Sequence, residues 1–405
     1  MTEGAGTEAG TGTPEAKRRH AERLQAGMAD RPGLPELFFD LVYVFALIHL
    51  MRIVANDLTW RRAGEMVVLG LALSLIWVMT VWLGELVKPD RPVVMAQLFV
   101  VMAGSLLLAA AASDAYDERG LVFAVIYVTI HLGSGLYYQV ALRPSAQKHA
   151  GRRILLWEGV AAVAWIVGGV LTGTGRWVSW VVAVAIEYLG AALTWPAPWS
   201  AEPLHRTERL TAERITERYR QFIILALGVS LFAVGEEFSQ STYDVSHIVA
   251  LVVAFLLVAL TWRIYICRAG ALMTTIFATA ERPFRLSRLT AVAHLIMVGA
   301  IIGIALTNKL VIRRPTSETP TALSIIILGS PALFLIGRAL LEKVLFGQLS
   351  WTQLLGFPVL AGLAVVVPLV SPVTLALLVA ALLALIVVLD LYYAPSRALL
   401  PPSEA

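Results

Sequence analysis

Two carboxylates, Glu36 and Asp40, stand four residues apart in the run ELFFDLVYVFAL that extends from Glu36 to Leu47. On a helix that spacing puts them on one face, with Tyr43 close beside them and Phe38, Phe39 and Phe45 spread around the remainder. The run opens a long apolar stretch. An aspartate at the centre of a membrane helix costs about 2.5 to 3.5 kcal/mol to insert, and somewhat less near an end. A chain rarely carries that cost without a partner or a use for the group. A carboxyl so placed can exchange a proton or hold a cation, and its anion needs a cation such as Arg218, or a water-filled cavity, to stabilise it.

Other polar residues interrupt apolar runs in the same way. On the topology argued below, Glu36, Asp40, Glu85, Gln97, Glu158, Glu217, Arg218 and His294 share the cytoplasmic half of the bilayer, which suggests a hydrated vestibule there. Glu36, Glu85 and Glu217 read as headgroup-level caps or partners of loop arginines. Asp40 and Glu158 lie about one turn deeper and fit a structural or a functional role. Glu187 sits near mid-depth, too far from either helix end for easy snorkelling, and is the strongest functional candidate on that ground. Asp40, Glu158 and Glu187 are therefore the candidate ion or proton sites.

Histidine and cysteine add little. His49 and Asp40 are roughly 180° apart around one helix, so they cannot share a site. His49 and His131 read as neutral rings bonding a neighbouring helix. No two histidines have metal-ligand spacing, and the single cysteine, Cys267, excludes an internal disulfide and a multi-cysteine metal centre. There is no HExxH, GxSxG, P-loop or dinucleotide fingerprint and no soluble domain to hold a nucleotide, so neither an enzyme nor a cofactor is expected.

The elements that carry these residues follow from hydropathy. Of the 405 residues 58% are apolar and 15% charged, against about 25% charged in soluble domains, too little polar content to coat a soluble globule. Twelve apolar runs of about 20 residues predict transmembrane helices at 36–56, 65–86, 92–113, 121–142, 153–173, 177–196, 220–240, 246–267, 288–308, 321–342, 352–371 and 373–393. Ser371-Pro372 breaks the last pair, which would otherwise make a helix of about 63 Å. Residues 1–34 lack an apolar core and read as a disordered tail, neither signal nor transit peptide; 394–405 form a second tail. With the amino terminus in the cytoplasm, about three quarters of the 32 basic residues fall inside, so both termini are expected there. The net charge of +4 reflects that orientation and gives no basic stripe for nucleic acid.

The two ends of the chain share a weak pattern. ERYRQFIILALG, from Glu217, laid on ELFFDLVYVFAL pairs Glu36 with Glu217, Phe38 with Tyr219, Asp40 with Gln221 and Leu41 with Phe222. Ala96-Gln97-Leu98 then matches Ala293-His294-Leu295, and Trp77 matches Trp262. A duplication of six spans leaves both halves in one orientation, about an axis along the membrane normal. The expected organisation is a first six-helix half over 35–196, a cytoplasmic connector over 197–216 and a second half over 217–393.

ELFFDLVYVFAL, ERYRQFIILALGVS from Glu217, HLIMVGAIIGIA from His294 and LGSPALFLIGRAL from Leu328 resemble the bacterial low temperature requirement protein A family over about 36 to 393. Glu36, Phe38, Phe39, Asp40, Glu217, Arg218, Gly228 and His294 occupy its motif positions. The resemblance implies a multi-pass protein of the cell membrane, without a substrate or reaction. Family members typically carry Gly-Glu where this chain has Gly228-Val229, so a role for that glutamate is absent or displaced here. The expected activity is that of an ion-coupled secondary transporter handling a small solute or cation in the lipid bilayer. The alternatives are a cation channel lined by the first spans of the two halves, or a non-transporting membrane-organising protein. Gly299 and Gly303 are read as a site of close helix packing, and the prolines Pro331, Pro358 and Pro368 as kinks.

Overall fold

The structure, a computed structural model, describes residues 34–84, 92–141, 150–199, 209–267 and 283–393, together with 272–273, 276–277 and 280. The tails and Glu85 lie outside the described residues. A span in lipid must satisfy every backbone N–H and C=O within itself, and the regular elements here are helices. They are α1 (Leu34–Asn56), α2 (Trp60–Gly84), α3 (Pro92–Ala112), α4 (Gly120–Ala141), α5 (Ala150–Val170), α6 (Gly173–Ala192) and α7 (Arg209–Ser239). After these come α8 (Val245–Tyr265), α9 (Pro283–Arg313), α10 (Thr321–Phe346), the short α11 (Trp351–Leu354), α12 (Gly356–Val366) and α13 (Pro372–Tyr393).

Eleven stretches among the described residues are long and apolar enough to cross a membrane, where twelve were expected. The difference is α6. It is 20 residues long, but Arg176 and Glu187 depress its hydropathy. The region after α10 divides as expected. The interruption at Leu355 falls just before Pro358, whose ring lacks an N–H and crowds the carbonyl four residues back. Trp351–Leu369 still counts as one span, and α13 is another. They lie antiparallel: Thr352 Oγ1 at the start of the first hydrogen-bonds Asp390 near the end of the second, and only Val370 and Ser371 separate them at the other end. α7 begins at Arg209, inside the stretch expected to connect the halves.

Packing is closest where side chains are small. α9 and α10 meet at Gly303, where a Cβ would lie 2.2 Å from Ser330 Oγ, whereas Gly299, one turn earlier, faces open space. Only one member of that GxxxG pair therefore serves close approach. α10 passes through Pro331 without breaking. α1 packs on α2, α3, α7 and α9; α4 on α5; α5 on α6; α7 on α8 and α9; and α8 on α13. Buried arginines tie helix ends to turns. Arg176 donates to the carbonyls of Ala115, Asp117, Gly168 and Leu171, and Arg338 to those of Ile264 and Cys267. The exposed apolar residues, such as Phe38, Val100, Val163 and Phe255, lie along helix faces turned to lipid.

Candidate functional site

Asp40 is fully buried and occupies the contact between α1, α2 and α7. Its Oδ1 accepts from Arg218 Nη2 at 2.6 Å and from Trp77 Nε1 at 2.8 Å. Oδ2 has no hydrogen-bond partner among the described residues. One turn earlier Glu36 pairs with two arginines of α7: Oε1 lies 3.3 Å from Arg214 Nη2 and Oε2 3.3 Å from Arg218 Nη1. The i, i+4 spacing that put Glu36 and Asp40 on one face is matched by Arg214 and Arg218, also i, i+4, so the two helices meet as complementary ladders. Arg218 lies 6.0 Å from the Trp77 ring, within cation–π range. An aromatic layer surrounds the pair: Trp77 stacks near Phe222 and Tyr219, and Phe39 meets Tyr43 edge-on. Phe38, by contrast, is 53% exposed and points to lipid.

The layer continues into α9. Trp82 Nε1 donates to Tyr219 Oη at 2.7 Å, and the Tyr219 ring stacks on His294 at 5.2 Å. His294 Nδ1–H donates to Thr290 O at 2.8 Å, which leaves Nε2 to accept from Tyr265 Oη at 3.0 Å. Glu217 is not part of the Asp40 cluster; it pairs with Arg220 of its own helix at 2.7 Å. Gly228 faces open space and Val229 is buried among apolar side chains, so the position where a family glutamate is typical holds no charge here.

At their far ends α1 and α7 are joined again. Arg52 Nη2 lies 3.5 Å from Glu236 Oε1. Glu236 also pairs with Lys309 of α9 at 3.2 Å, and Glu237 with Lys309 and Arg313. Because the N-terminal half of each helix meets the N-terminal half of the other, and C-terminal half meets C-terminal half, α1 and α7 run parallel. The polarity reverses along the seam: α1 supplies acids at its start and a base at its end.

A second cluster lies within the first six helices. Glu187 of α6 accepts from Tyr127 Oη at 2.9 Å and from Trp165 Nε1 at 3.1 Å. Glu158 of α5 faces His131 of α4, Oε1 to Nδ1, at 3.4 Å. Glu187, Glu158 and His131 are all buried. Among the described residues His131 Nε2 and Glu158 Oε2 have no hydrogen-bond partner. Two small cavities, each with room for about one water molecule, adjoin them. His131 and Glu158 line both, and Glu187 lines the second with Trp195. The wall at Trp195 is held by a strained turn: Thr194 and Trp195 have φ of 62° and 49°, and Arg153 donates to both carbonyls.

Of the three candidate carboxylates the structure thus joins Glu158 with Glu187 and keeps Asp40 apart. His49 hydrogen-bonds Phe45 O in its own helix, so the expected bond to a neighbouring helix is seen for His131 alone. Tyr127, Trp165 and the fully buried Glu65 went unnoticed in the sequence. For Glu65 the signal was available, since Arg61 and Arg62 precede it by four and three residues and both pair with it at 2.9 Å. Tyr127 and Trp165 read as ordinary apolar aromatics until their polar tips find a carboxylate.

All-helical architecture, lipid-facing apolar surfaces and carboxylates buried between helices define a multi-pass integral membrane protein. The family "Bacterial low temperature requirement A protein (LtrA)" matches residues 33–388. The chain belongs to that family, a bacterial one, which places it in the cell membrane. It is 28% identical over 344 residues to an uncharacterized protein of Rhizobium meliloti (strain 1021), an alignment covering 84% of each chain. No solved structure matches it.

Proposed function

We propose that the protein is an ion-coupled secondary transporter for a small solute, formed by two six-helix halves in parallel orientation, with both termini in the cytoplasm. The observation that carries this reading is the α1–α7 seam, closed at both ends by ion pairs of opposite polarity. A carrier that opens a central site to one side at a time has to release one closure while keeping the other, and terminal ion pairs are reversible closures of that kind.

The parallel run of α1 and α7 also supports twelve spans. A chain that enters both helices from the same side crosses an even number of times between them, so α6 counts as the sixth crossing. Its Glu187 is tolerable because the carboxyl is hydrogen-bonded inside the protein. Matching helices of the halves find matching neighbours: α1–α3 corresponds to α7–α9, α1–α2 to α7–α8, and α2–α6 to α8–α13. Polar contacts recur in the first of these, Tyr43 with Ser105 and Asn308 with Ser230, each at 3.5 Å. The pairing of Trp77 with Trp262 gains no such support, one being buried on Asp40 and the other 44% exposed. The positive-inside bias supports the orientation, and the reading requires no catalytic group.

The test is reconstitution in liposomes loaded with a pH-sensitive dye, followed by addition of pools of amino acids, sugars, organic cations and organic acids. At least one pool is expected to drive saturable proton movement, and neutralising Arg218 or Glu236 should abolish it. Unitary currents in planar bilayers would replace the carrier with a channel, and absence of solute-dependent proton movement and of currents would leave the membrane-organising role.

A further inference from the structure

The cluster of Glu158, His131 and Glu187 is carried by α4, α5 and α6, which supply none of the hydrogen bonds to Asp40, and its charges do not balance. Each carboxyl is buried, and the described residues give Glu158 only the imidazole and Glu187 only two neutral donors. The helices packed around the cluster contribute further titratable groups. On α4 and α6 these are Tyr127, Tyr138 and Tyr188, which are neutral donors or acceptors. On α5 there is Arg153, whose guanidinium is turned to the Thr194 and Trp195 carbonyls. α2 and α3 bring Thr80 and Gln97, which cannot ionise; Gln97 donates to Ser134 Oγ at 2.9 Å. Two carboxylates and a neutral imidazole would leave two negative charges inside the helix bundle, a state too costly to persist.

The unpartnered atoms show where compensation enters. His131 Nε2 and Glu158 Oε2, both on side chains more than nine-tenths buried, border cavities that hold about one water each. A hard metal cation collects six or more oxygen ligands. An imidazole, aromatic walls and one free carboxyl oxygen do not supply them, but they suit a proton passed through one water.

We propose that Glu187, His131 and Glu158 form a single proton-binding site that holds two exchangeable protons in its neutral state, one on the imidazole and one on a carboxyl. A proton leaves a carboxyl oxygen for the cavity water and returns by the same route, with no other bond made or broken. The proposal rests on the transporter reading only in naming this the coupling-ion site; proton binding itself can be measured without transport.

Infrared difference spectra of the full-length protein in detergent, between acid and alkaline pH, report protonated carboxyl groups directly. The wild type should show a buried carboxylic acid band at neutral pH that shifts in heavy water. Glu158→Gln and Glu187→Gln should each abolish it, because the one carboxylate left then pairs with the imidazolium. Glu36→Gln, outside the cluster, should leave it unchanged. Gly135→Ala serves as a check that keeps both acids, since its Cβ would stand 2.6 Å from Glu158 Oε2 and should shift the band without removing it. A band that survives either substitution, or that is missing from the wild type, overturns the proposal. A band displaced by sodium at fixed pH would assign the site to an alkali cation and overturn the proton assignment. Bands as expected without any transport would keep the site and remove the carrier, whereas transport without the band would do the reverse.

Discussion

Neutralising Asp40 tests the seam most sharply. Asp40→Asn keeps an acceptor for Trp77 but removes the negative charge 2.6 Å from Arg218. Breaking one side of a buried ion pair costs about 3 to 5 kcal/mol, because the remaining charge stays buried. Arg218 would retain Glu36 at 3.3 Å, which is partly solvated and offsets some of that loss. The expected cost is therefore near the lower end, about 3 kcal/mol, or on the order of 100-fold in the folding equilibrium. An ordinary interhelical hydrogen bond in a membrane protein is worth about 0.6 kcal/mol, so the two explanations separate well. Arg218→Met should cost less than Asp40→Asn, since a carboxyl left alone can take up a proton. In the double variant neither charge remains, and stability should return to within about 1 kcal/mol of wild type. A double-mutant cycle by reversible unfolding in mixed micelles measures the coupling. A coupling below about 0.6 kcal/mol would refute the reasoning. If the pair is a moving closure, activity stays lost in the double variant although stability has recovered; recovery of both would make the pair structural.

Other outcomes follow from local geometry. Gly303→Ala drives a methyl into Ser330 and should destabilise the α9–α10 contact by about 1 to 3 kcal/mol. Gly299→Ala enters open space and should change stability by less than about 0.5 kcal/mol, both read from thermal unfolding in detergent. Asp244 caps α8: Ser246 and His247 side chains, the His247 amide and Thr242 donate to its carboxylate and hold it below the usual aspartate range. Since its folded value is depressed, the stabilisation is present above the ordinary value of 3.8 and is lost only as pH falls through the lower folded value. Chemical-shift titration of the His247 amide should show no transition at the ordinary aspartate value, and Asp244→Ala should speed exchange of that amide. Cys267 follows the end of α8, and in the proposed orientation it should react with an impermeant thiol reagent only in inverted vesicles; labelling on intact cells would reverse the orientation.

Much of this arrangement was legible in the order of residues alone. The spans follow from composition, because lipid offers no hydrogen bonds and a run of about 20 apolar residues has few alternatives to a helix. The facing of Glu36 and Asp40 follows from helical period, and the need for a cation such as Arg218 follows from the cost of a buried anion. Even the break before α13 was visible as Ser371-Pro372.

Arg218 could be named as one possible cation for Asp40, but which partners actually meet was not legible, because that depends on which helix faces come together. Arg218 and Asp40 are 178 positions apart, and apolar spans carry little period to say how each is rotated. Glu187 looked isolated at mid-depth, yet packing of α4, α5 and α6 brings it Tyr127, Trp165 and the His131–Glu158 pair. Glu217, aligned with Glu36 in the repeat, turns instead to Arg220 on its own helix. The helix α6 shows the same division most plainly. Its hydropathy falls short because a sum over residues charges Arg176 and Glu187 the full cost of lipid, whereas hydrogen bonds from Arg176 to the Ala115 and Asp117 carbonyls, and from Tyr127 and Trp165 to Glu187, hold both groups inside the protein.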